Sequence, residues 1–213
     1  MNAAPRFGFV DLHGHVALVT GAGSPSGIGF ATATLLAERG ASVFVHDIDQ
    51  RALLRADALR QRTTRLGYAC DLTSRTEVEA FIERGSSGRE ELGAHAIAAD
   101  VSRVENCRHV IDATLARFGR LDALVNCAGV WIEGASDAAS EADWDRCIDI
   151  NLKGTFFLCA YAIPSLKASH GVIINVGSDA SVVGNAGCAI YCASKGGVTL
   201  MSKALALEHG LGA

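Results

Sequence analysis

Short apolar stretches alternate with longer amphipathic stretches along the chain. Helical patterns lie between the apolar stretches; one begins at Gly27 and is closed by Gly40, and another begins at Arg103 and is closed by Gly119. Strands without a polar face need cover on both sides, so the pattern predicts an α/β fold of the Rossmann type, a doubly wound parallel sheet in three layers. The predicted buried strands are residues 15–20, 41–47, 95–100, 121–126 and 171–177.

Two segments of the chain resemble each other, as in a partial internal repeat. Residues 66–84 resemble residues 92–112, since each has an apolar stub, an Asp at the strand end, a Ser or Thr cap and then a helix. The second copy is the more complete unit, and the polar residues 84–91 between the copies indicate an exposed loop. We therefore predict an insertion at 66–91 within a single domain of residues 1–213, a length that one hydrophobic core can fill.

Charge and cysteine content narrow the class of partner. The net charge is −4 and no run of five Lys or Arg residues occurs, which favours a small-molecule partner over nucleic acid or a membrane surface. Seven cysteines form no CxxC pair, as is typical of free thiols in a reducing compartment, so a cytoplasmic location is predicted. Asp11, His13 and His15 interrupt the N-terminal apolar run, which therefore fits no targeting segment. No histidine or cysteine pattern indicates a metal site.

The first predicted strand runs into the glycine-rich stretch TGAGSPSGIG, residues 20–29, and then directly into a helix. Glycines there would let the backbone approach a pyrophosphate and direct N–H groups at it. The second strand ends at Asp47, 18 residues beyond Gly29, close to the offset at which an acidic residue accepts hydrogen bonds from the adenosine ribose. Because a 2′-phosphate would repel that carboxylate, NAD is predicted over NADP. Arg51, the nearest cation, is interpreted as a solvated residue of a first helical turn.

Four polar residues are predicted to converge at one sheet edge. Tyr191 and Lys195 are four positions apart and share a helix face. Ser178 lies just beyond the fifth strand, at the carboxyl edge where open α/β sheets bind ligands, and Asn151 lies on the preceding helix.

In these motifs the sequence resembles the short-chain dehydrogenase/reductase family, including the 3-oxoacyl-carrier-protein reductases. Ser178 and Tyr191 are 13 positions apart, as in that family, and the motifs follow in the family's order over residues 15 to about 209. The matching stretches are TGAGSPSGIG, Asp47, ADVS at 99–102, NCAG at 126–129, NLKGTFF at 151–157, NVGS at 175–178 and YCASK at 191–195.

The resemblance implies a catalytic role for each of the four residues. Tyr191 would be the general acid in carbonyl reduction or the base in alcohol oxidation, and because a phenol scarcely ionises at pH 7, the Lys195 ammonium would stabilise its phenolate. Lys195 would also hold the nicotinamide ribose, and Ser178 would donate a hydrogen bond to the substrate oxygen. Asn151 would hold a water in a proton relay. The hydride belongs to the cofactor.

The resemblance also implies the cofactor contacts. Asp100 with Val101 would read the adenine edge; Asp71 with Leu72 competes for this role, but a complete helix and fourth strand follow Asp100. The glycine loop has five residues between its first two family glycines where three are usual, so either it bulges at Ser24–Pro25 or Gly23 takes the first position. The expected cofactor residues are Gly21, Gly23, Gly27, Ile28, Gly29, Asp47, Asp100, Val101, Asn126, Ala128, Gly129, Tyr191 and Lys195.

The chain ends where the family continues through a strand, a substrate-covering loop and helix, and a last strand. We therefore expect a single domain lacking that strand–helix–strand, with a strand edge unpaired beside the catalytic helix. Two hypotheses follow: an NAD-dependent oxidoreductase acting on a secondary alcohol or ketone, and a truncated, catalytically impaired dinucleotide-binding remnant. Trp131 could touch substrate or fill the core. Trp144 and Phe156–Phe157 lie where the family packs a second subunit, so a homodimer or homotetramer is expected.

Overall fold

The elements of the chain alternate between strands and helices, as the hydrophobic pattern predicts. The computed structural model describes residues 10–62 and 95–210. A π-helical turn, Asp149–Gly154, joins α4 to α5, and single turns of 3-10 helix lie at Ser136–Ala138 and Asp179–Ser181. The main elements are β1 (Val16–Thr20), α1 (Ile28–Glu38), β2 (Ser42–Asp47), α2 (Arg51–Arg62), β3 (His95–Ala98), α3 (Val104–Phe118), β4 (Ala123–Asn126), α4 (Glu141–Ile148), α5 (Thr155–Ser169), β5 (Val172–Asn175) and α6 (Ala189–His209).

The five strands form one parallel sheet in the order β3-β2-β1-β4-β5. The chain starts in the middle with β1, builds outward to β3, and then crosses to β4. The order therefore reverses between β1 and β4, and a crevice opens at that point beyond the carboxyl ends of the strands. All five predicted strands are present, each one to three residues shorter than the apolar stretch that predicted it, and the doubly wound fold is confirmed.

Apolar side chains cover both faces of β1 to β4, which explains why these strands carry no polar face. Val16 and Leu18 of β1 pack with α3 and α5 on one side, whereas Val19 packs with α1 and α2 on the other. This alternation follows from the two-residue period of a strand. The helix ends agree with the prediction as well, because Gly40 and Gly119 adopt φ values of 94° and 71°, a region that closes helices and favours glycine.

Strand β5 is the outer strand of the described sheet on the side opposite β3. Val172 and Ile174 are 52% and 50% exposed, in contrast to the fully buried β1. A groove of about 690 Å³ runs between β5, the end of α5 and the end of α6. Among the strands that the structure describes, β5 pairs only with β4, as expected for this edge. The predicted insertion at 66–91, with Asp71 and Leu72, lies outside the described residues.

Candidate functional site

The glycine loop fits closely between β1, β4 and α1. Gly21 has a φ of 65°, and a Cβ added to it would lie 2.5 Å from the Ala128 nitrogen at the end of β4. A Cβ on Gly29 would lie 2.5 Å from the Gly21 carbonyl oxygen. Side chains at these two positions would clash with backbone atoms, so the glycines there are required by contact and not only by flexibility.

The two extra residues of the loop form a turn. The Gly27 amide donates to the Ser24 carbonyl at 3.2 Å, with Pro25 inside the turn. Gly21 remains the glycine that contacts β4, which agrees with the alternative in which the loop bulges at Ser24–Pro25. Gly27 then caps α1 without a side-chain hydrogen bond, and Ile28 begins the helix.

Asp47 is buried at the end of β2 and contacts the glycine loop directly. Its Oδ2 accepts from the Gly23 amide at 2.7 Å, and its Oδ1 accepts from the Ile48 amide at 2.9 Å. The Arg51 guanidinium lies 3.4 Å from Asp47 Oδ1 and 2.9 Å from Asp49 Oδ1. Arg51 is an exposed residue of the first turn of α2, as the sequence predicts, and its guanidinium in addition joins the two carboxylates.

The remaining cofactor candidates lie at or just after the carboxyl ends of β3 and β4. Asp100 follows β3 and accepts from the Ser102 amide at 2.9 Å, while Val101 is buried in the core. Asn126 is buried and donates to Asn175 of β5 at 2.9 Å. The Ala128 amide donates to the Thr20 hydroxyl at 3.2 Å, so hydrogen bonds hold the ends of β1, β4 and β5 together.

Lys195 and Tyr191 lie together on one side of α6. Lys195 is only 7% exposed, its Nζ donates to the Val176 carbonyl at 2.8 Å, and Nζ lies 6.0 Å from the centre of the Tyr191 ring. Burial lowers the pKa of Lys195, an effect that the nearby thiols of Cys127 and Cys147 partly oppose. A buried ammonium therefore lies beside the phenol, as the helical spacing predicts.

Asn151 belongs to the π-helical turn and not to a regular helix. Its Oδ1 accepts from the Val130 amide at 2.8 Å, and its Nδ2 donates to the Val130 carbonyl at 3.0 Å and to the Ser194 hydroxyl at 3.1 Å. A Cβ on Gly129 would lie 3.3 Å from this Oδ1 and 3.9 Å from Lys195 Nζ, so the three residues are neighbours. The side chain of Asn151 thus ties the segment after β4 to the catalytic helix. The water relay stays a prediction.

Ser178 caps the 3-10 turn that follows β5. Its hydroxyl accepts from the Ala180 amide at 3.2 Å and donates to the Asp179 carboxylate at 2.9 Å. Helix α6 packs against this turn, which brings Ser178 to the same edge as Lys195. Sequence reasoning missed Asp179, although its position directly after the serine was the available signal.

Trp131 does not fill the core, contrary to one of the two expectations. Its side chain is 56% exposed, and its ring centre lies 4.7 Å from that of Tyr191 at an angle of 44°. The indole Nε1 donates to Glu133 at 3.3 Å. Glu133 was also missed, because no local pattern marks an exposed acid two residues after Trp131 as part of a site.

The thiols and acids of the described ranges form no evident metal centre. Within residues 10–62 and 95–210, no three His, Cys, Asp or Glu side chains come together as metal ligands. Six cysteines in these ranges are unpaired thiols, and Cys188 and Cys192 flank Tyr191 on α6. None of the described helices has both the length and the apolar character needed to cross a bilayer.

Comparisons with known proteins agree with this geometry. The family model described as short chain dehydrogenase matches residues 83–211, and that of Enoyl-(Acyl carrier protein) reductase matches residues 21–88. The (2S)-[(R)-hydroxy(phenyl)methyl]succinyl-CoA dehydrogenase subunit BbsD of Thauera aromatica is 38% identical over 203 residues, 94% of this chain and 69% of that protein. D-threitol dehydrogenase of Mycolicibacterium smegmatis is 37% identical over 202 residues, 93% of this chain and 66% of its own length.

A solved structure gives the same result. A short-chain alcohol dehydrogenase from Sinorhizobium meliloti 1021 superposes with a TM-score of 0.72 at 35% identity, which covers 93% of this chain and 68% of that one. The chain spans about two thirds of the length of these relatives. The resemblance that the motifs predict is confirmed by the parallel sheet, the crevice and this level of identity. The chain belongs to the short-chain dehydrogenase/reductase family of oxidoreductases.

Proposed function

We propose that the chain carries the cofactor-binding and catalytic residues of an NAD-dependent oxidoreductase that interconverts a secondary alcohol and a ketone. One observation carries the proposal: the buried Lys195 ammonium lies beside Tyr191 at the same sheet edge as the glycine loop. A buried cation next to a phenol stabilises the phenolate, which is the form that accepts a proton from an alcohol.

The residues of the crevice fit a dinucleotide. The missing side chains of Gly21 and Gly29 let the loop backbone pack closely, and Gly27 precedes α1 as its N-cap with no side chain bonded to the first amides. Backbone N–H groups at such a helix start bind phosphates. Ile28, Asp100, Val101, Asn126, Ala128 and Gly129 would line the remainder of the cofactor site. A bound nicotinamide supplies the hydride donor or acceptor.

The protein residues would orient the substrate and move one proton. In alcohol oxidation the Tyr191 oxygen would take the hydroxyl proton, while Lys195 stabilises the phenolate form. The Ser178 hydroxyl, which here donates to Asp179, would turn to donate its hydrogen bond to the substrate oxygen. Asn151 would position the loop that carries Gly129 and Val130, in addition to any water that it holds, because its amide bonds both backbone groups of Val130.

The proton step is tested by Tyr191→Phe, with Tyr161→Phe on α5 as the matched control. We expect NADH-linked turnover to fall by about 100-fold or more in Y191F while NADH affinity stays within about twofold, since only the proton carrier is lost. Y161F should keep its turnover. Turnover retained by Y191F would refute the assignment. NADH binding with no turnover of any alcohol or ketone by the wild-type chain would instead support the impaired-remnant hypothesis.

We propose NADH as the preferred cofactor because of Asp47. The carboxylate would repel a 2′-phosphate, and Arg51 is shared between Asp47 and Asp49, so the two acids outweigh the one cation. Titration with NADH and NADPH should show tighter binding of NADH. Equal affinity for the two would contradict the role of Asp47.

A cytoplasmic homo-oligomer is the setting we propose for this activity. Six unpaired thiols in the described ranges suit a reducing compartment. Trp144 and Phe156 are 48% and 40% exposed on α4 and α5, the helices expected to meet a second copy. Light scattering should give the mass of a dimer or tetramer. A monomer mass at micromolar concentration would contradict the proposed homo-oligomer.

A further inference from the structure

An aromatic ring and two carboxylates surround Tyr191 and Ser178, and the four catalytic residues do not account for them. The Trp131 ring packs on the Tyr191 ring at 4.7 Å yet remains 56% exposed, so one flat apolar surface stands beside the phenol. A half-exposed indole face binds C–H groups of a ligand well, because it offers apolar area with little loss of side-chain entropy.

Glu133 lies beside the Trp131 ring and is held there by two contacts. Its Oε2 accepts from Trp131 Nε1 at 3.3 Å, and a Cβ on Gly187 would lie 3.5 Å from Glu133 Cγ. The Gly134 amide also donates to the Gly187 carbonyl at 2.8 Å, which fastens this segment to the loop before α6. Burial, together with the carboxylates of Glu133 and Asp179, raises the pKa of the Cys188 thiol, three positions before Tyr191. Glu133 therefore lies next to the ring that packs on Tyr191.

Asp179 contacts the catalytic serine directly. The Ser178 hydroxyl donates to Asp179 Oδ1 at 2.9 Å. A substrate oxygen bound at Ser178 would therefore lie near this carboxylate, and a hydroxyl on the adjacent carbon would be within its reach. Neither Glu133 nor Asp179 forms an ion pair within the described ranges, so both carry uncompensated negative charge.

From this arrangement we infer the substrate class of the proposed oxidoreductase, on whose activity the inference rests: an uncharged vicinal diol or polyol. Asp179 accepts the hydroxyl next to the reacting carbinol, Glu133 accepts a more distant one, and Trp131 covers the C–H face. Carboxylates form strong hydrogen bonds with hydroxyl donors and repel anions, so 2-hydroxy acids are excluded.

Three small alcohols test the inference with the purified full chain and NAD. They are 2-butanol, 2,3-butanediol, which adds one vicinal hydroxyl, and lactate, which places a carboxylate beside the carbinol. We expect kcat/KM for the diol to exceed that for 2-butanol by about 10- to 100-fold, with lactate not oxidised. Equal rates for the diol and 2-butanol, or a preference for lactate, would overturn the substrate class and leave the proposed activity standing. Oxidation of none of the three, nor of other secondary alcohols, would sink the proposed activity itself.

Asp179→Asn removes the negative charge but keeps the local structure, because the asparagine side-chain oxygen can still accept from the Ala180 backbone N–H. We expect D179N to lower the preference for the diol over 2-butanol by about 10-fold. Asp112→Asn, an exposed acid on α3, is the matched control and should leave that ratio unchanged. A ratio unaltered in D179N would remove Asp179 from the recognition of the vicinal hydroxyl.

Trp131 fluorescence gives a readout that does not depend on turnover. The chain has two tryptophans, and Trp144→Phe leaves Trp131 as the sole emitter. In the presence of NADH, 2,3-butanediol should change this emission at lower concentration than 2-butanol does, and lactate should not change it. Identical titration curves for the two alcohols would contradict the inference even if the chain proved inactive.

Discussion

The two halves of the crevice, the one proposed to bind nucleotide and the one proposed to carry catalysis, achieve their close packing by different means. In the first, the missing side chains of Gly21 and Gly29 allow backbone to approach backbone. In the second, side-chain atoms make the contacts: Asn151 bonds both backbone groups of Val130, and Lys195 bonds the Val176 carbonyl. The nucleotide half should therefore be sensitive to any added atom, and the catalytic half to the loss of particular polar atoms.

Among the variants that test this difference, Gly29→Ala should have the largest effect on stability and NADH affinity. Its new Cβ would lie 2.5 Å from the Gly21 carbonyl oxygen, which is backbone and cannot rotate away. We expect the free energy of unfolding to fall by about 1–3 kcal/mol and NADH affinity to fall by about 100-fold. Chemical unfolding and NADH titration measure both. Gly184→Ala, where a Cβ meets nothing within 4 Å, should be nearly neutral; similar losses in both variants would remove the contact argument.

Asn151→Ala tests the catalytic half. It leaves the Val130 amide and carbonyl without their partner, which should lower the free energy of unfolding by about 2–4 kcal/mol and reduce kcat more than NADH affinity. Asn106→Ala removes one bond, to the Asp100 carbonyl at 3.0 Å, and should instead weaken NADH binding. N151A should thus act mainly on kcat and N106A mainly on NADH affinity. If the two variants had the same ratio of kcat loss to NADH affinity loss, the two halves would not have separate roles.

Buried thiols, all within residues 95–210, make the stability of the chain sensitive to alkaline pH. Burial raises the pKa of Cys107 from 9.0 to about 12, and those of Cys127 and Cys159 to about 11. The unfolded chain therefore loses these protons first. Their contribution to stability is complete below pH 9 and falls above it, by about 1.4 kcal/mol per pH unit for each titrating thiol.

Guanidinium unfolding at pH 8 and pH 10 measures this loss. The lowered pKa of Lys195 acts in the opposite direction, since the unfolded lysine, at 10.5, keeps its proton longer than the folded one. Comparison of the wild-type chain with Cys127→Ala isolates one thiol, and the variant should lose about 1 kcal/mol less between the two pH values. An identical loss in both would show that Cys127 does not contribute.

The smallest effect is expected from Arg51→Ala in the nucleotide half. The guanidinium is exposed and its ion pairs are screened by solvent, so the free energy of unfolding should hardly change. With the Asp47 charge less compensated, the preference for NADH over NADPH should rise by about fivefold or less in paired titrations. Arg103→Ala, an exposed arginine at the start of α3, is the control and should leave the preference unchanged. A fall in the preference in R51A would mean that Arg51 opposes NADPH binding.

Much of the fold and part of the site followed from local pattern. Continuous apolar stretches between capped helices predicted the parallel sheet, because only burial on both faces allows such strands. The helical period brought Lys195 beside Tyr191, and the offset from the glycine loop indicated Asp47. These relations are properties of one element or of two consecutive ones, which a sequence displays directly.

The sequence by itself determined the strand and helix order, the glycine-rich turn after β1 and the phenol–ammonium pair, because short-range sterics and periodicity act within a few residues. Only the tertiary structure decided that Trp131 lies against Tyr191, that Glu133 approaches Gly187, and that Asn151 ties the segment after β4 to α6. Those pairs are 21 to 60 positions apart. Packing of the whole sheet brings them together, and no local preference of either partner indicates the other.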